Sequence, residues 1–214
     1  PHGEILALDV SDARAMPGVQ LVLTADDLLA RGVTIGMKGE RIDTRDGGKG
    51  AGPERPVLAQ NRVRFVGEAI AAVVAETPDQ ARDALEAISF DINALDPALH
   101  LTCEEPTIHP EAPHNRAFEF LFGDEAATNA ALANSAHRIA LDIVHNRVTA
   151  APMETRAAFA EWDGDRLHLC VNGQGVWVQR NELSRMLGLP RDRIRVTNPD
   201  VGGGFGMKGM TYPE

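Results

Sequence analysis

Aromatic residues are scarce. Seven Phe, two Trp and one Tyr make up only 5% of the 214 residues, so a core has to be assembled mainly from Ala, Val, Leu and Ile. Cysteine is scarcer still. Cys103 and Cys170 supply neither a disulfide framework nor a CxxC metal site, which points to a reducing, cytoplasmic setting. No apolar run approaches the roughly 20 residues that a membrane-spanning helix requires. The opening Pro1-His2-Gly3-Glu4 is not a signal peptide. Positive charge is in deficit: 21 Lys and Arg against 31 Asp and Glu give a formal net charge of −10. A nucleic-acid partner is not expected, because phosphate backbones need clustered cations. The chain lacks an initiator Met and stops just after a glycine-rich loop, so it reads as a piece of a longer polypeptide.

What is present is ordinary for a globular protein, with 43% hydrophobic and 24% charged residues. The pattern predicts an α+β fold in two parts, residues 1–97 and 98–214. In the first part, Glu4–Val10 reads as a strand and Ser11 as the cap of a short helix. Val19–Leu23 is β-rich, and Thr24 with Asp27 marks another helix start. Residues 36–56, rich in glycine and charge, read as a long surface connector. Ala69–Ala75 is short, apolar and β-branched, the signature of a buried strand. Thr77-Pro78-Asp79-Gln80 is a capping box with proline at the first helical position.

Four prolines between Asp96 and Pro113 mark a linker. His100, His109 and His114 fall on or next to it, with no metal-ligand spacing, and read as surface residues of the loop. In the second part, Phe118–Phe122, Ile139–His145 and Ala157–Trp162 read as strands, and Asp124–Ser135 as a helix. Asp163-Gly164 predicts a hairpin to Arg166–Val171. Val176–Leu187 predicts an amphipathic helix whose apolar stripe is Val176, Trp177, Leu183, Met186 and Leu187. Gly188 ends that helix, and a short strand, Ile194–Val196, leads into Asp200-Val201-Gly202-Gly203-Gly204-Phe205-Gly206-Met207-Lys208-Gly209.

This glycine loop is the most informative segment. Glycines allow close approach of the backbone to another group, and exposed N–H groups in such a loop bind phosphates or oxyanions. A tight turn around a core Phe is the competing explanation. Gly204–Gly209 also fits GxGxxG, a weak dinucleotide-binding signal that needs a following helix. The Walker pattern fails, because Met207 precedes Lys208 and Gly209 stands where Ser or Thr belongs. Asn172-Gly173-Gln174-Gly175 sits between a strand and a helix, where a side-chain amide can donate to an oxo group. Pro152-Met153-Glu154-Thr155-Arg156 places a carboxylate near a guanidinium and suggests a local polar network. Three functions stay open on these residues alone: a cofactor site, a dinucleotide-binding unit, and a non-catalytic assembly module.

Taken together, the segments resemble the molybdenum hydroxylase family of xanthine dehydrogenases, aldehyde oxidases and aerobic carbon monoxide dehydrogenases. The resemblance rests on Pro56–Ala59 through Val66–Ala75, on Pro152–Ala158, and on Gln174 followed 31 positions later by Phe205 in Asp200–Lys208. It covers nearly the whole chain. It implies an α/β-hammerhead domain followed by the start of a molybdopterin-binding domain. It implies that Gln174, Gly203, Gly204, Phe205 and Gly206 face a molybdenum-bearing molybdopterin, in most bacterial members the dinucleotide form. The family's chemistry is oxidative hydroxylation of small substrates with water as oxygen source, or oxidation of carbon monoxide with copper held by a cysteine. Its general-base glutamate belongs to a downstream region, so no catalytic residue is expected in this chain. The chain on its own is expected to be inactive, with no bound cofactor. Cys103 and Cys170 do not match the copper-binding position. Gly209 stands where purine-oxidising members carry glutamate, which argues against xanthine and leaves aldehydes, N-heterocycles or carbon monoxide. Iron–sulfur and FAD-binding subunits or domains are the implied partners, within an oligomer.

Overall fold

The computed structural model describes residues 2–39, 41–146 and 148–214. The first part contains β1 (Gly3–Asp9), α1 (Ser11–Ala15), β2 (Val19–Thr24), α2 (Ala25–Ala30), β3 (Gly36–Met37), β4 (Arg55–Pro56), β5 (Arg62–Val63), β6 (Ala71–Ala75), α3 (Pro78–Glu86) and β7 (Ser89–Ala94). β1 is the central strand of an antiparallel sheet between β5 and β7. β2 and β6 form a separate antiparallel ribbon. Val10, Ala13, Val22 and Ala84 make the core between them, with Met16, Val73 and Ile88 packed against it. Ala13 and Ala84 are fully buried where α1 and α3 meet, and their small side chains let the two helices come close.

Local sequence signals explain two of the helix starts. Thr24 Oγ1 accepts the Asp27 N–H at 3.3 Å, and the Asp27 carboxylate accepts the Thr24 N–H at 2.9 Å. Thr77 and Gln80 repeat the arrangement at the start of α3. Such reciprocal caps satisfy N–H groups that a helix leaves without partners. Ser11 behaves differently from expectation. It is the first helical residue rather than a cap, and its N–H and hydroxyl both donate to Asp9 Oδ1. β6 is also less buried than its apolar run suggests. Its residues alternate between partly buried and exposed, with Val74 half exposed, because only one face of the ribbon meets the core.

The 36–56 segment is more than a connector. Gly36–Met37 pairs with Arg55–Pro56, and Met37 is buried. The Arg45 and Ala51 N–H groups donate to the Glu119 and Ala117 carbonyls at 2.9 and 2.7 Å. Backbone partners thus hold a stretch whose side chains have little to bury.

The second part contains α4 (Glu125–Ala133), β8 (Ala158–Trp162), β9 (Leu167–Val171), α5 (Trp177–Leu187) and β10 (Ile194–Thr197). β9 is central, antiparallel to β8 and parallel to β10, so α5 is the crossover between the two parallel strands. The hairpin between β8 and β9 turns at Asp163, whose carboxylate accepts the N–H groups of Asp165 and Arg166. The chain therefore combines helices with mostly antiparallel strand pairs, consistent with an α+β class.

Three expectations need correction here. The buried residues of α5 are Gln179, Glu182 and Met186, while Trp177 is 67% exposed. The helix is rotated because Glu182 is held inward by the Lys38 N–H and by Arg185. Phe118–Phe122 and Ile139–His145 are not strands; neither has a ladder partner among the described residues. Their alternation lacks a surface to bury against, and Ile139, Leu141, Ile143 and Val144 are all more than three-quarters exposed. Finally, His109 is not a plain surface residue. It is partly buried, and burial together with the nearby Arg64 cation holds its imidazole below the ordinary histidine range.

Candidate functional site

β9 and β10 run in parallel and release their chains at the same edge of the sheet. This is where open α/β sheets place ligands. After β9, Asn172 folds back: its Oδ1 accepts the Ala157 N–H at 3.0 Å, and its Nδ2 donates to the Thr155 carbonyl at 2.7 Å. After β10, Asn198 Nδ2 donates to the Gly173 carbonyl at 2.8 Å. Two asparagines thus fasten the 152–157 segment, the 172–175 turn and the glycine loop to one another.

Gln174 and Lys208 then form a two-way link. The Gln174 N–H donates to the Lys208 carbonyl at 3.0 Å, and the Lys208 N–H donates to Gln174 Oε1 at 3.1 Å. A backbone N–H can only be met by the oxygen of a carboxamide, so the Gln174 NH2 is left facing outward on an exposed side chain. Gly204 lies directly beneath it. A Cβ at position 204 would stand 2.5 Å from Gln174 Cδ, so any side chain there would push this amide out of place.

The loop itself takes the left-handed conformation at three of its four positions from 203 to 206. Gly203 has φ +92, Phe205 φ 50 and Gly206 φ 83. Phe205 is not glycine, and a left-handed aromatic residue is strained by about 1–2 kcal/mol. Its ring is 78% exposed, so burial does not offset that strain. The ring lies over Gly203, where a Cβ would come within 2.7 Å of Phe205 Cε2. Gly203 N–H bonds the Val201 carbonyl, but the N–H groups of Gly204, Phe205 and Gly206 have no acceptor among the described residues. Together with the Gln174 NH2, they form a shallow cradle of neutral donors.

Beneath the cradle lies a charge. Lys208 is 2% exposed, and its Nζ is 2.7 Å from Glu154 Oε2. The same oxygen accepts the Gly202 N–H at 2.8 Å. The Lys208 ammonium, and then the Gly202 N–H, hold the Glu154 carboxyl below the usual glutamate range. Sequence reasoning placed Glu154 in a local network with Arg156. Instead, Arg156 pairs with Glu214 and covers the Tyr212 ring at 3.8 Å. In the sequence Lys208 fails the Walker pattern and ends the Asp200–Lys208 stretch, with nothing local that pairs it with Glu154. A lysine inside a glycine loop and a glutamate in a second motif are the signals that could have joined them.

A molybdopterin-type group suits this donor set. Its phosphates and oxo groups are acceptors, and the cradle offers neutral donors on a glycine surface that any side chain at 204 would fill. Among the described residues no three His, Cys, Asp or Glu side chains gather into a metal cage. A metal here would therefore be one already carried by its organic ligand. The geometry does not suit a GxGxxG dinucleotide turn. That motif needs a helix to follow, whereas Met207–Gly209 is a single 3-10 turn and Met210 is already extended.

Comparisons with known proteins agree. Residues 1–96 match the family model described as "aldehyde oxidase and xanthine dehydrogenase, a/b hammerhead domain". Residues 108–214 match the "molybdopterin cofactor-binding domain" model. The chain is 35% identical to the nicotine 6-hydroxylase large subunit of Paenarthrobacter nicotinovorans, over all of this chain and 26% of that protein. It is 33% identical to the carbon monoxide dehydrogenase large chain of Hydrogenophaga pseudoflava, over 99% of this chain and 27% of that one. Among solved structures, quinoline 2-oxidoreductase from Pseudomonas putida 86 superposes with a TM-score of 0.80 at 31% identity, covering 99% of this chain and 27% of that chain. The chain thus spans about a quarter of the length of these relatives. With both family models matched in order and a donor cradle at the matching loop, the chain belongs to the xanthine dehydrogenase, aldehyde oxidase and carbon monoxide dehydrogenase family of molybdenum hydroxylases, and carries its hammerhead domain and part of its molybdopterin-binding domain.

Proposed function

We propose that this chain is part of the large, molybdenum-cofactor-binding subunit of an oxidoreductase that hydroxylates or oxidises a small molecule. Aldehydes, N-heterocycles and carbon monoxide are the candidate substrates. The relatives named for nicotine, quinoline and carbon monoxide support that range. Residues 1–97 form the hammerhead unit and 98–214 the beginning of the cofactor unit. The partners are iron–sulfur and FAD-binding subunits or domains, in a cytoplasmic oligomer. No helix among the described residues is long and apolar enough to cross a membrane.

The observation that carries this proposal is the outward NH2 of Gln174 beside the unpaired N–H groups of Gly204, Phe205 and Gly206. In this reading Gln174 donates to an oxo group, and Gly203–Gly206 bring backbone donors against cofactor oxygens. Phe205 covers that contact with its exposed ring and keeps water from competing for the donors. When bound, the cofactor supplies a redox-active metal that acidifies water and accepts the substrate's electrons. This chain contributes orientation and hydrogen bonding, and the general-base glutamate lies elsewhere in the longer subunit. The dinucleotide form of the cofactor is proposed, as in most bacterial relatives of this type.

The test is direct. The full-length subunit, produced with its partner subunits, should contain about one molybdenum and one pterin per large subunit and release a nucleotide on acid hydrolysis. An assembled complex free of both metal and pterin would overturn the proposal.

A further inference from the structure

The two ends of the glycine loop meet at one oxygen. Glu154 Oε2 accepts the Gly202 N–H at 2.8 Å and lies 2.7 Å from Lys208 Nζ. Residues 202–208 are therefore closed into a ring by a carboxylate that belongs to a distant segment. Lys208 does a second thing at the same time. Its backbone N–H and carbonyl both bond Gln174, on the opposite wall of the cradle. One residue thus couples the loop to the amide, and one carboxylate holds that residue in place.

We propose that the Glu154–Lys208 ion pair is a positioning device that sets the orientation of the Gln174 carboxamide and of the loop N–H groups toward the bound cofactor. The inference rests on the cofactor reading of Gln174 and Gly203–Gly206 given above. Neither Glu154 nor Lys208 touches the group itself. Lys208 is buried and its ammonium is engaged by Glu154. Its cation has no carboxylate partner other than Glu154 among the described residues. Removing the carboxylate charge leaves a buried cation with a weaker acceptor, and removing the cation leaves Glu154 held only by Gly202. In either case the loop loses its closure, while the β8–β9–β10 sheet below keeps its ladder.

Catalytic donors must be held close to their productive geometry, and a displacement of about 1 Å costs on the order of 100-fold in rate. A misaligned cradle should therefore appear in turnover and in the metal's surroundings before it appears in folding.

The experiment uses the full-length enzyme with its partners. Glu154→Gln keeps an oxygen acceptor for the Gly202 N–H but removes the charge; Lys208→Met keeps length but removes the cation. Each should assemble, bind at least half the wild-type molybdenum, and lose roughly 10- to 100-fold in kcat with KM changed less than about threefold. The EPR g-values of the partly reduced metal should shift, since they report the groups hydrogen-bonded around it. Glu154→Asp, which restores the charge on a shorter arm, should recover part of the turnover. Wild-type kcat and an unchanged EPR signal in both variants would overturn the inference. So would failure of both to assemble, which would assign the pair to folding alone. Gln174→Ala serves as the control for the underlying reading. If it changes the EPR signal while the ion-pair variants do not, only the positioning role fails. If Gln174→Ala also leaves signal and kcat unchanged, the cofactor reading itself fails.

Discussion

Glu182 on α5 accepts the backbone N–H of Lys38 at 2.8 Å, across 144 positions of sequence. Arg185 grips the same carboxylate and reaches on to the Gly36 carbonyl. A glutamate and an arginine one turn apart thus tie the crossover helix of the second part to the β3 edge of the first. The Glu182 side chain is only 11% exposed, so this is a largely desolvated contact.

Glu182→Ala should therefore be costly. It leaves the Lys38 N–H and the Arg185 guanidinium without their acceptor, which corresponds to about 2–4 kcal/mol. Thermal or denaturant unfolding of the assembled enzyme would show it, and Glu182→Gln should lose less. A change below about 0.5 kcal/mol would mean that water replaces the carboxylate without penalty.

The same contact sets a pH dependence. Arg185, above all, holds the Glu182 carboxyl below the usual glutamate value of 4.5. A depressed carboxylate favours the folded state while it is ionised. Its contribution is fully present above the unfolded value and is lost as pH falls through the lower folded value. Glu154 follows the same sign, through Lys208 and the Gly202 N–H. Stability measured from pH 7 downward should stay level in these two contributions to about pH 5 and then fall. Glu182→Gln should flatten part of that fall.

Gly204 and Gly206 should respond differently to alanine. At 204 a Cβ would sit 2.5 Å from Gln174 Cδ, so Gly204→Ala must displace the amide. At 206 the Cβ meets nothing within 4 Å, and only the left-handed backbone, φ 83, resists it. Gly206→Ala should cost on the order of 1 kcal/mol in stability and spare most of the bound cofactor. Gly204→Ala should lower molybdenum and pterin content at least severalfold, as read by metal analysis and pterin fluorescence. Equal loss in the two variants would contradict the placement of Gln174 over Gly204.

Phe205 offers a trade between strain and function. Phe205→Gly relieves a left-handed backbone worth about 1–2 kcal/mol, partly offset by the greater freedom of glycine in the unfolded chain. The melting temperature should hold or rise slightly while cofactor retention on gel filtration falls. A clear loss of stability would instead make the ring a packing residue, against its exposure.

What could be read in the sequence was mostly local. The boxes Thr24–Asp27 and Thr77–Gln80 are closed by residues three apart, so their geometry is written in the spacing. The hairpin at Asp163-Gly164 is of the same kind. The buried face of α5 was misread because apolar periodicity does not register that Glu182 has a backbone partner 144 positions away. Alternation at Ile139–His145 signals a strand only where something covers one face, and no partner strand lies among the described residues. At the site, glycines and Gln174 were legible from motif and spacing. Lys208 and Glu154 lie 54 positions apart, and no local rule pairs them.

The uncovered run at Ile139, Leu141, Ile143, Val144 and Val148 has a practical consequence for handling the protein. These five residues are between 77% and 95% exposed, on backbone with no ladder partner among the described residues. Apolar side chains left open on unpaired backbone recruit each other edge to edge. The polypeptide made alone should therefore light up hydrophobic dyes and self-associate as its concentration rises. A solubility screen that varies what is co-expressed with it, rather than buffer or temperature, is where a well-behaved preparation is to be sought.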